Sequence, residues 1–470
     1  MRLRQAAGCH GTVGGHARAA LAWAIFRGTE RHKIVNDLVR DGIALPEIKF
    51  EPYWWDAARP EPLPETRLQA RYDVAVIGAG FTGLRAALEL ARAGRKVAVL
   101  DREPAGSGAA RRNAGYLGRV LKKSLTELMA KHGAEKGIAL YRELGEAFTG
   151  TVDFIVREGI DCLLTRHGRY IAATSAAHYD QLGADLETMR QHLGYPYEMV
   201  PREAQRREFG SDRYRGGAVI PDLAAIHPGL YHRGLLERAV AADVAVFDRI
   251  EVQAVEPEND GVTVATDGGT FTARDVIIAT NGYTPRDFGW LARRVIPFPA
   301  YMAATEPLSD AQMRDAIPNL RTVLDSNTNI DFFRPAPDGS RILFGGGTGV
   351  SRGDLPKVAH FLHGILARVL PQLAQLRLSH VWSGFCAGTF DMMPHIGGRE
   401  HIWYGLGYNF AGVPMGTHFG LKLAALVMGK PEGRSEFAAA PFPTLPLYRG
   451  DPWFLPLAMR WFDWKDGKRG

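Results

Sequence analysis

The alternation of apolar and polar positions becomes regular near residue 70. Residues 73–77 form a short apolar run that ends in glycines, and residues 82–93 carry apolar side chains at helical spacing. Residues 96–100 form a second apolar run of the length of a buried strand. Strand, helix and strand in this order make up the unit from which parallel sheets are built. The pattern therefore predicts an α/β fold.

The later pattern predicts further helices and strands. Residues 119–215 mix polar and apolar positions at helical spacing, and residues 246–280 return to short alternating strands. Residues 295–350 look like strands and are rich in phenylalanine, proline and glycine. A helix is predicted over residues 355–370, because Pro356 falls in its first turn, where a missing amide donor costs little.

The two ends of the chain are predicted to differ from this body. Residues 1–45 show no sustained periodicity, which predicts a disordered extension. Residues 46–70 are predicted to form an arm packed on the body, because two tryptophans as close as Trp54 and Trp55 favour burial. Residues 431–470 form an aromatic C-terminal tail. Contact with a membrane surface is one interpretation of this tail, and packing across its own domain is the favoured one.

Glycine is over-represented, with 53 of 470 residues, and its first cluster is Gly-Ala-Gly-Phe-Thr-Gly at residues 78–83. In such a motif Gly78 permits a tight turn, Gly80 lets the backbone approach a pyrophosphate, and Gly83 lets the helix pack close to the strand. Amides at the helix start meet the phosphate charge. Asp101, at the end of the next strand, can accept hydrogen bonds from a ribose. The motif predicts a dinucleotide-binding site.

The distribution of charge excludes one class of partner. The net charge is +6, but six basic residues and one acid lie among the first 33 residues, so the remainder is nearly neutral. A protein that binds nucleic acid carries its positive charge as a patch on the folded body. Nucleic acid is therefore not an expected partner. Residues 19–26 form a short apolar run with arginine-rich flanks, which could mimic a signal or transit segment. The favoured interpretation is an unstructured extension or an upstream start codon chosen in error.

The cysteines indicate a reducing compartment. Cys9, Cys162 and Cys386 are far apart and odd in number, so they fit neither a disulfide framework nor a paired-cysteine metal site. No apolar run approaches the length of a membrane span. We predict a cytoplasmic protein without a transmembrane segment and without a metal. The histidines that show no metal-ligand spacing are His227, His232, His395 and His401.

A second glycine-rich segment distinguishes FAD from NAD. Residues 106–115 are Gly-Ser-Gly-Ala-Ala-Arg-Arg-Asn-Ala-Gly. This segment resembles the second flavin motif of the D-amino-acid oxidase superfamily, whose usual form is Gly-x-Gly-Ala-Ser-Gly-Arg-Asn-Gly-Gly. The chain departs from that form at Ala110, Arg111 and Ala114. Because the serine of the usual motif is absent, its hydroxyl cannot contact the phosphate. Backbone amides can still make that contact.

Further stretches look like the same superfamily and follow in the same order. Residues 226–229 and 304–308 are most similar to its gamma-glutamylputrescine oxidase branch. The resemblance covers about residues 50–460. The other segments that carry it are residues 279–283, 382–384, 389–391, 394–397 and 405–413.

The resemblance implies an α/β protein with a Rossmann-like FAD-binding domain and a second substrate domain of a mixed β-sheet plus helices. It assigns residues 71–135, 200–295 and 375–430 to the first and residues 136–199 and 296–374 to the second. The implied cofactor-binding residues are Gly78, Gly80, Phe81, Thr82, Gly83, Asp101, Arg102, Arg112, Asn113, Ala114, Gly115, Val252, Thr280, Asn281, Gly282, Gly407, Tyr408, Asn409, Gly412 and Val413. The candidates for lining the substrate site are Phe332, Phe333, Trp382, His395 and Tyr408.

The implied activity is oxidation of a small amine or amino-acid-like substrate by hydride transfer to FAD. Water would hydrolyse the imine, and oxygen would reoxidise the flavin and give hydrogen peroxide. Two alternatives stay open: a flavin dehydrogenase that passes electrons to a quinone or carrier protein, and a flavin-bound subunit without turnover of its own. FAD is expected to bind non-covalently, because the linking position of the monomeric sarcosine oxidases falls at Gly384 and not at Cys386.

Overall fold

The structure is a computed structural model that describes residues 28–64, 66–349, 354–438 and 441–466. The strands are β1 (Ala44–Lys49), β2 (Arg71–Ile77), β3 (Val97–Leu100), β4 (Tyr116–Leu117), β5 (Arg169–Ala172), β6 (Glu198–Val200), β7 (Gly217–Ile220), β8 (Ala224–Ala225), β9 (Ala245–Phe247), β10 (Val252–Glu258), β11 (Gly261–Thr266), β12 (Gly269–Ile278), β13 (Ile296–Thr305), β14 (Thr322–Asp325), β15 (Phe332–Pro335), β16 (Ile342–Gly345), β17 (Leu378–Gly388), β18 (His395–Arg399) and β19 (Ile402–Leu406). The α-helices are α1 (Gly28–Arg40), α2 (Trp55–Ala58), α3 (Phe81–Arg92), α4 (Leu125–His132), α5 (Ala134–Arg157), α6 (Ala176–Leu193), α7 (Pro228–Ala241), α8 (Gly289–Ala292), α9 (Asp310–Ala316), α10 (Leu355–Val369), α11 (Gly412–Val427) and α12 (Leu455–Lys465).

Eight of the described strands form one sheet in the order β10-β11-β12-β2-β3-β9, with β19 beside β12 and β18 beside β19. The centre of this eight-stranded sheet is parallel, since β12, β2, β3 and β9 pair in parallel in turn. All four residues of β3 are buried, as expected for a parallel strand covered on both faces. Helices α3 and α11 pack on the eight-stranded sheet through Leu84, Leu88 and Phe419, which are completely buried.

Nine described strands form a second sheet in the order β1-β17-β13-β16-β15-β14-β5-β7-β6. Strands β13 and β17 pair antiparallel along most of their length. Helix α10 covers this nine-stranded sheet because Val358, Leu362 and Leu366 recur at helical spacing and are completely buried. The side chain of Asp354 caps the first turn of α10.

Most of the predicted elements are confirmed. The strand, helix and strand after residue 70 are β2, α3 and β3, and the helix predicted over 355–370 is α10. Residues 295–350 form strands as predicted, but α9 lies among them. This helix begins with a capping box between Ser309 and Gln312, a signal that is visible in the sequence. Residues 119–215 contain helices α4 to α6, and also the short strands β5 and β6, which were not predicted.

The prediction that residues 1–45 form a disordered extension is wrong for the part that the structure describes. Residues 1–27 lie outside the described residues, but α1 and β1 begin before residue 45. Leu38 and Ala44 are almost completely buried, and β1 pairs in parallel with β17 at the edge of the nine-stranded sheet. Tertiary packing stabilises a helix of the length of α1 more than its own propensity does. The sequence of α1 alone therefore gives little indication of a helix.

The division into an FAD-binding and a substrate domain stays a prediction. Two strands of the predicted FAD-binding segments do not lie in the eight-stranded sheet. β7 and β17 fall in segments 200–295 and 375–430, which were predicted to bind FAD, and they belong to the nine-stranded sheet. β17 also contacts the segment after β12, which was predicted to bind FAD. A Cβ atom at Gly282 in that segment would lie 2.7 Å from the carbonyl oxygen of Cys386 in β17.

The arm and the tail both pack on the body. Trp54 is completely buried, which confirms the predicted packing of the arm. The tail ends in α12, which is described further below. In the described ranges no helix is long and apolar enough to cross a bilayer.

Candidate active site

The turn between β2 and α3 has the geometry that a dinucleotide needs. Gly78 has a φ of +105°, and a Cβ atom there would lie 2.9 Å from the carbonyl oxygen of Ala279. A Cβ atom at Gly83 would lie 1.9 Å from the carbonyl oxygen of Gly78, so α3 approaches β2 only because residue 83 is glycine. A Cβ atom at Gly80 would meet no atom within 4 Å. The three glycines thus serve three different local needs.

The first turns of α3 and α11 have no side-chain caps. Uncapped helix N-termini favour anionic groups, because their free N–H groups and the helix dipole are directed at the same point. The two helix starts are held together by a hydrogen bond of 2.6 Å between the hydroxyls of Thr82 and Tyr408. Gly416 permits this approach, since a Cβ atom there would lie 3.1 Å from the Thr82 hydroxyl oxygen.

The carboxylate of Asp101 lies against the glycine-rich turn. It accepts hydrogen bonds from the amides of Ala79 at 2.9 Å and Glu103 at 3.1 Å. Burial raises the pKa of Asp101 to about 6, although both hydrogen bonds favour the charged form. Arg102, predicted beside it, lies 4.0 Å from the carboxylate of Glu251. Asp101 thus lies against the glycine-rich turn, and its contact with a ribose stays a prediction.

Two tryptophan indoles hold the second glycine-rich segment. Nε1 of Trp382 donates to the carbonyl of Arg112 at 2.9 Å, and Nε1 of Trp54 donates to the carbonyl of Asn113 at 2.8 Å. Oδ1 of Asn113 accepts a hydrogen bond from the amide of Gly115 at 2.8 Å, which closes the turn. The backbone of the predicted residues 112–115 is thus held from two sides.

The remaining predicted segments meet beside this turn. Oδ1 of Asn281 accepts a hydrogen bond from the amide of Gly407 at 3.0 Å, which joins the segments after β12 and β19. Asn281 and Asn409 both have a φ of +45°, a conformation that asparagine tolerates better than most residues. Val252, at the start of β10, is buried with residues of β2 and β3. The other predicted residues of these segments and of α3 are Phe81, Thr280, Gly282, Gly412 and Val413.

These groups fit FAD. The open space at Gly80, the two uncapped helix starts and the carboxylate of Asp101 complement the diphosphate and ribose of a dinucleotide. Nε1 of Trp55 is buried and has no acceptor in the part of the chain that the structure describes, which leaves one donor for a ligand. The guanidinium of Arg112 lies 4.8 Å from the centre of the Trp55 ring. The contacts of individual residues with FAD stay predictions.

The structure brings together two of the substrate-site candidates. Phe332 and Trp382 belong to one apolar cluster with Trp54, between the nine-stranded sheet and the arm. We call this set, which Met302 and Leu343 complete, the aromatic wall. Phe333 faces the other side of its strand, because neighbouring strand residues alternate. It is completely buried with the apolar residues of α10 and therefore lies away from the aromatic wall.

His395 and Tyr408 also lie apart from the aromatic wall. Nε2 of His395 lies 3.1 Å from both carboxylate oxygens of Asp391, and its ring stacks on Phe442 with centroids 4.0 Å apart. Burial opposes the charge on Asp391, but hydrogen bonds led by that from His395 hold its pKa below the usual value. Tyr408 is bound to Thr82, as described above. Tyr408 belongs to the predicted flavin segment at residues 405–413, and His395 pairs with Leu406 of that segment.

A match to a family model over most of the chain identifies its family. The family model described as FAD dependent oxidoreductase (DAO) matches residues 73–426. The chain belongs to this family. It is an FAD-dependent oxidoreductase, and the predicted superfamily, cofactor and α/β fold are confirmed.

Relatives of this FAD-dependent oxidoreductase cover most of its length. It is 30% identical over 379 residues to probable oxidoreductase OrdL from Haemophilus influenzae, covering 79% of this chain and 86% of that protein. It is 30% identical over 371 residues to gamma-glutamylputrescine oxidoreductase from Escherichia coli, covering 78% and 86%. The crystal structure of glycine oxidase from Geobacillus kaustophilus has the same fold, with a TM-score of 0.63, 24% identity and coverage of 80% and 99%.

One departure of this oxidoreductase from the flavin motif forms a buried contact that the sequence did not predict. Nε of Arg111 donates to Nδ1 of His232 at 2.9 Å, and its guanidinium also donates to the carbonyl of Ala58 at 3.0 Å. Since Nδ1 accepts, Nε2 of His232 carries the proton and donates to the carbonyl of Ala79 at 2.6 Å. Gly106 leaves room for Arg111, because a Cβ atom there would lie 2.6 Å from its Nε.

This contact links the second flavin segment to the glycine-rich turn. Burial and the nearby guanidinium of Arg111 lower the pKa of His232 to about 3, so the histidine stays neutral. Burial also lowers the pKa of Arg111 to about 10, which leaves it charged at neutral pH. The only sequence signal was the unexpected arginine inside a glycine-rich motif.

Proposed function

We propose that this flavoenzyme oxidises a small amine or amino-acid-like substrate and uses oxygen as the electron acceptor. Amine and oxygen would give imine and hydrogen peroxide, and water would then convert the imine to a carbonyl compound with release of ammonia or a smaller amine. Bound FAD would supply the two-electron oxidation of the carbon–nitrogen bond. The protein has to bind the substrate, orient it and keep the amine neutral.

The observation that carries this proposal is buried positive charge beside the aromatic wall. The guanidinium of Arg334 lies 5.3 Å from the ring centre of Trp54, and that of Arg169 lies 4.9 Å from the ring centre of Tyr116. Both arginines are buried. Burial lowers the pKa of each to about 10, so both are charged at neutral pH. Tyr116 in turn packs on Phe332, with centroids 6.0 Å apart.

These charges are not compensated by their described hydrogen bonds. Arg334 donates to the carbonyls of Ala114 and Ile226, and Arg169 donates to the hydroxyl of Thr322. A buried cation beside an apolar surface lowers the pKa of a nearby ammonium group, because the charge repels the ammonium and the surface desolvates it. An amine needs its lone pair to stabilise the cation that forms when the carbon–hydrogen bond breaks. The site therefore favours the reactive, neutral form of an amine.

The relatives support the same substrate class. The relative from Escherichia coli is called gamma-glutamylputrescine oxidoreductase and the neighbour from Geobacillus kaustophilus is called glycine oxidase. Each name denotes a compound with an oxidisable carbon–nitrogen bond. We extend to this chain the shared chemistry of that bond and neither named substrate.

Non-covalent binding of FAD is part of the proposal. Burial raises the pKa of the Cys386 thiol to about 12, so it lacks the thiolate that forms covalent bonds readily. A Cβ atom at Gly384 would lie 3.3 Å from Arg112, which leaves little room for a reactive side chain there. We expect acid or heat to release FAD from the polypeptide. Flavin that remains on the denatured chain would contradict this.

The experiment is reduction of the flavin without oxygen, followed by its absorbance. Primary and secondary amines and amino acids should bleach it, and matched alcohols and hydroxy acids should not. The kcat/KM for an amine should rise with pH toward the pKa of that amine. Oxygen consumption by the pure protein separates an oxidase from a dehydrogenase that needs a quinone or carrier protein. Bleaching by a hydroxy acid alone would overturn the amine proposal and leave the flavoenzyme intact.

A pair of variants tests the charge beside the aromatic wall. Arg334→Met removes the positive charge, so the pKa of the bound amine rises and the acid limb of kcat moves to higher pH. Arg334→Lys keeps the charge and should leave that limb near its original position. Equal profiles for both variants, with FAD still bound, would show that the charge does not act on the substrate.

A further inference from the structure

Helix α12 and the residue directly after it turn two acids toward the body, while several large apolar side chains of the helix are exposed. Oδ2 of Asp466 accepts a hydrogen bond from the amide of Thr328 at 2.6 Å, and Oδ1 of Asp463 accepts one from the side chain of Asn329 at 3.2 Å. Met459, on the same side, is buried against Gly349. Asp463, in α12, and Asp466, directly after it, are thus directed at the body.

The opposite side of α12, with Trp453 just before it, is apolar. Residues at this spacing share one face of a helix. On a globular protein the apolar stripe of a surface helix faces the core, so this order is reversed. The outward apolar residues are Trp453 (67% exposed), Leu457 (66%), Trp461 (53%) and Trp464 (70%). We call them the tryptophan face.

Arg460 gives the outward side of α12 a positive charge. Arg460 is exposed between Leu457 and Trp461. In the sequence Lys465, Lys468 and Arg469 follow. Asp463 and Asp466 accept hydrogen bonds from the body. Asp451, two residues before Trp453, is exposed, but its carboxylate lies 3.4 Å from the guanidinium of Arg286. Exposed tryptophan with basic residues is the composition of helices that lie in the interface of an anionic membrane.

We propose that the tryptophan face docks the enzyme on an anionic lipid surface. The indole rings would enter the headgroup region, where their apolar body and N–H donor are both satisfied, and Arg460 would meet lipid phosphates. The helix would lie along the surface and not cross it. The proposal is independent of the substrate, because it rests on the outer side of α12 alone.

Docking would place the flavin-side segments close to the lipid. Phe454, before α12, packs on Phe390 with ring centroids 5.9 Å apart. Phe390 belongs to the segment that carries Asp391, the partner of His395. The enzyme would therefore sit on lipid with one edge of its candidate active site near the surface.

The test is flotation of the FAD-loaded protein with vesicles of phosphatidylcholine and phosphatidylglycerol, compared with vesicles of phosphatidylcholine alone. The protein should float with the anionic vesicles and bind more weakly as salt rises. Trp453→Ala/Trp464→Ala should weaken binding by roughly tenfold for each tryptophan removed. Arg460→Glu should weaken binding to the anionic vesicles only.

The control removes exposed apolar groups from other helices. Val156→Ala/Val240→Ala changes residues that are 64% and 49% exposed on α5 and α7, and should bind vesicles like the parent. Flavin content and melting temperature show that each variant is folded. Failure of the parent to bind at low salt, or equal binding by the tryptophan variant, would overturn the proposal. A dimer that this variant separates would assign the face to a second copy of the chain instead.

Discussion

The two sheets contribute to the candidate site in different ways. Around the eight-stranded sheet, residues such as Gly80 and Gly83 act through the path of the backbone, which a short motif can specify. On the nine-stranded sheet, Phe332 and Trp382 act through large side chains, whose positions depend on contacts between distant segments. The predicted cofactor side of the molecule is therefore encoded locally, whereas the predicted substrate side is encoded by the packing of distant segments.

The largest expected effect tests the local side. Gly80→Glu should abolish FAD binding, because a negative side chain would occupy the path of the diphosphate. The apoprotein should keep its melting temperature, since a Cβ atom at Gly80 meets no atom within 4 Å. Gly150→Glu is the matched control, because Gly150 is also open but lies on the exposed side of α5. FAD retained by Gly80→Glu would show that the turn does not face the cofactor.

The next effect tests the packed side. Phe333→Ala should destabilise the protein by about 3–5 kcal/mol, because it opens a cavity in a fully buried cluster. Phe332→Leu, one residue earlier, should cost less than about 1.5 kcal/mol and should change kcat/KM. Urea unfolding and steady-state kinetics measure the two quantities. A change in kcat/KM with Phe333→Leu that equals the change with Phe332→Leu would contradict the assignment of these two residues to opposite faces.

The contact between Arg111 and His232 combines side-chain packing with the path of the backbone, because these side chains support the glycine-rich turn. Arg111→Met should lower the unfolding free energy by about 2–4 kcal/mol, since it leaves buried acceptors on His232 and Ala58 without donors. It should also weaken FAD binding to the apoprotein, measured by quenching of flavin fluorescence. Arg40→Met on α1, an exposed arginine paired at the surface, should change neither value.

The smallest effect concerns pH. Burial, followed by the charge of Arg334, lowers the pKa of His227 to about 4, against 6.5 in an unfolded chain. The unfolded chain therefore binds a proton that the folded chain does not, and stability falls as pH falls from 6.5 toward 4. His227 also caps α7 by accepting a hydrogen bond from the amide of Leu230. His227→Asn keeps a capping residue and should flatten this slope by at most about 1.4 kcal/mol per pH unit. At pH 8 the parent and the variant should show the same dependence on pH.

Some features of the candidate site could be predicted from the sequence and others could not. The glycine-rich turn was predictable because its geometry allows few residue types. The faces of Phe332 and Phe333 were not, because all four residues of β15 are buried and no polar alternation marks the strand. His232 was also missed as a support of the turn. A single histidine in a helix has no pattern, and its partner Arg111 lies 121 residues away.

The two indoles that hold adjacent carbonyls of the second flavin segment have a consequence for synthesis of the chain. Trp54 and its acceptor on Asn113 are 59 residues apart, whereas Trp382 and its acceptor on Arg112 are 270 residues apart. The first bond can form early on the ribosome, but the second must wait until most of the polypeptide has been made. We therefore expect the nascent chain to become able to retain FAD only after β17 has emerged.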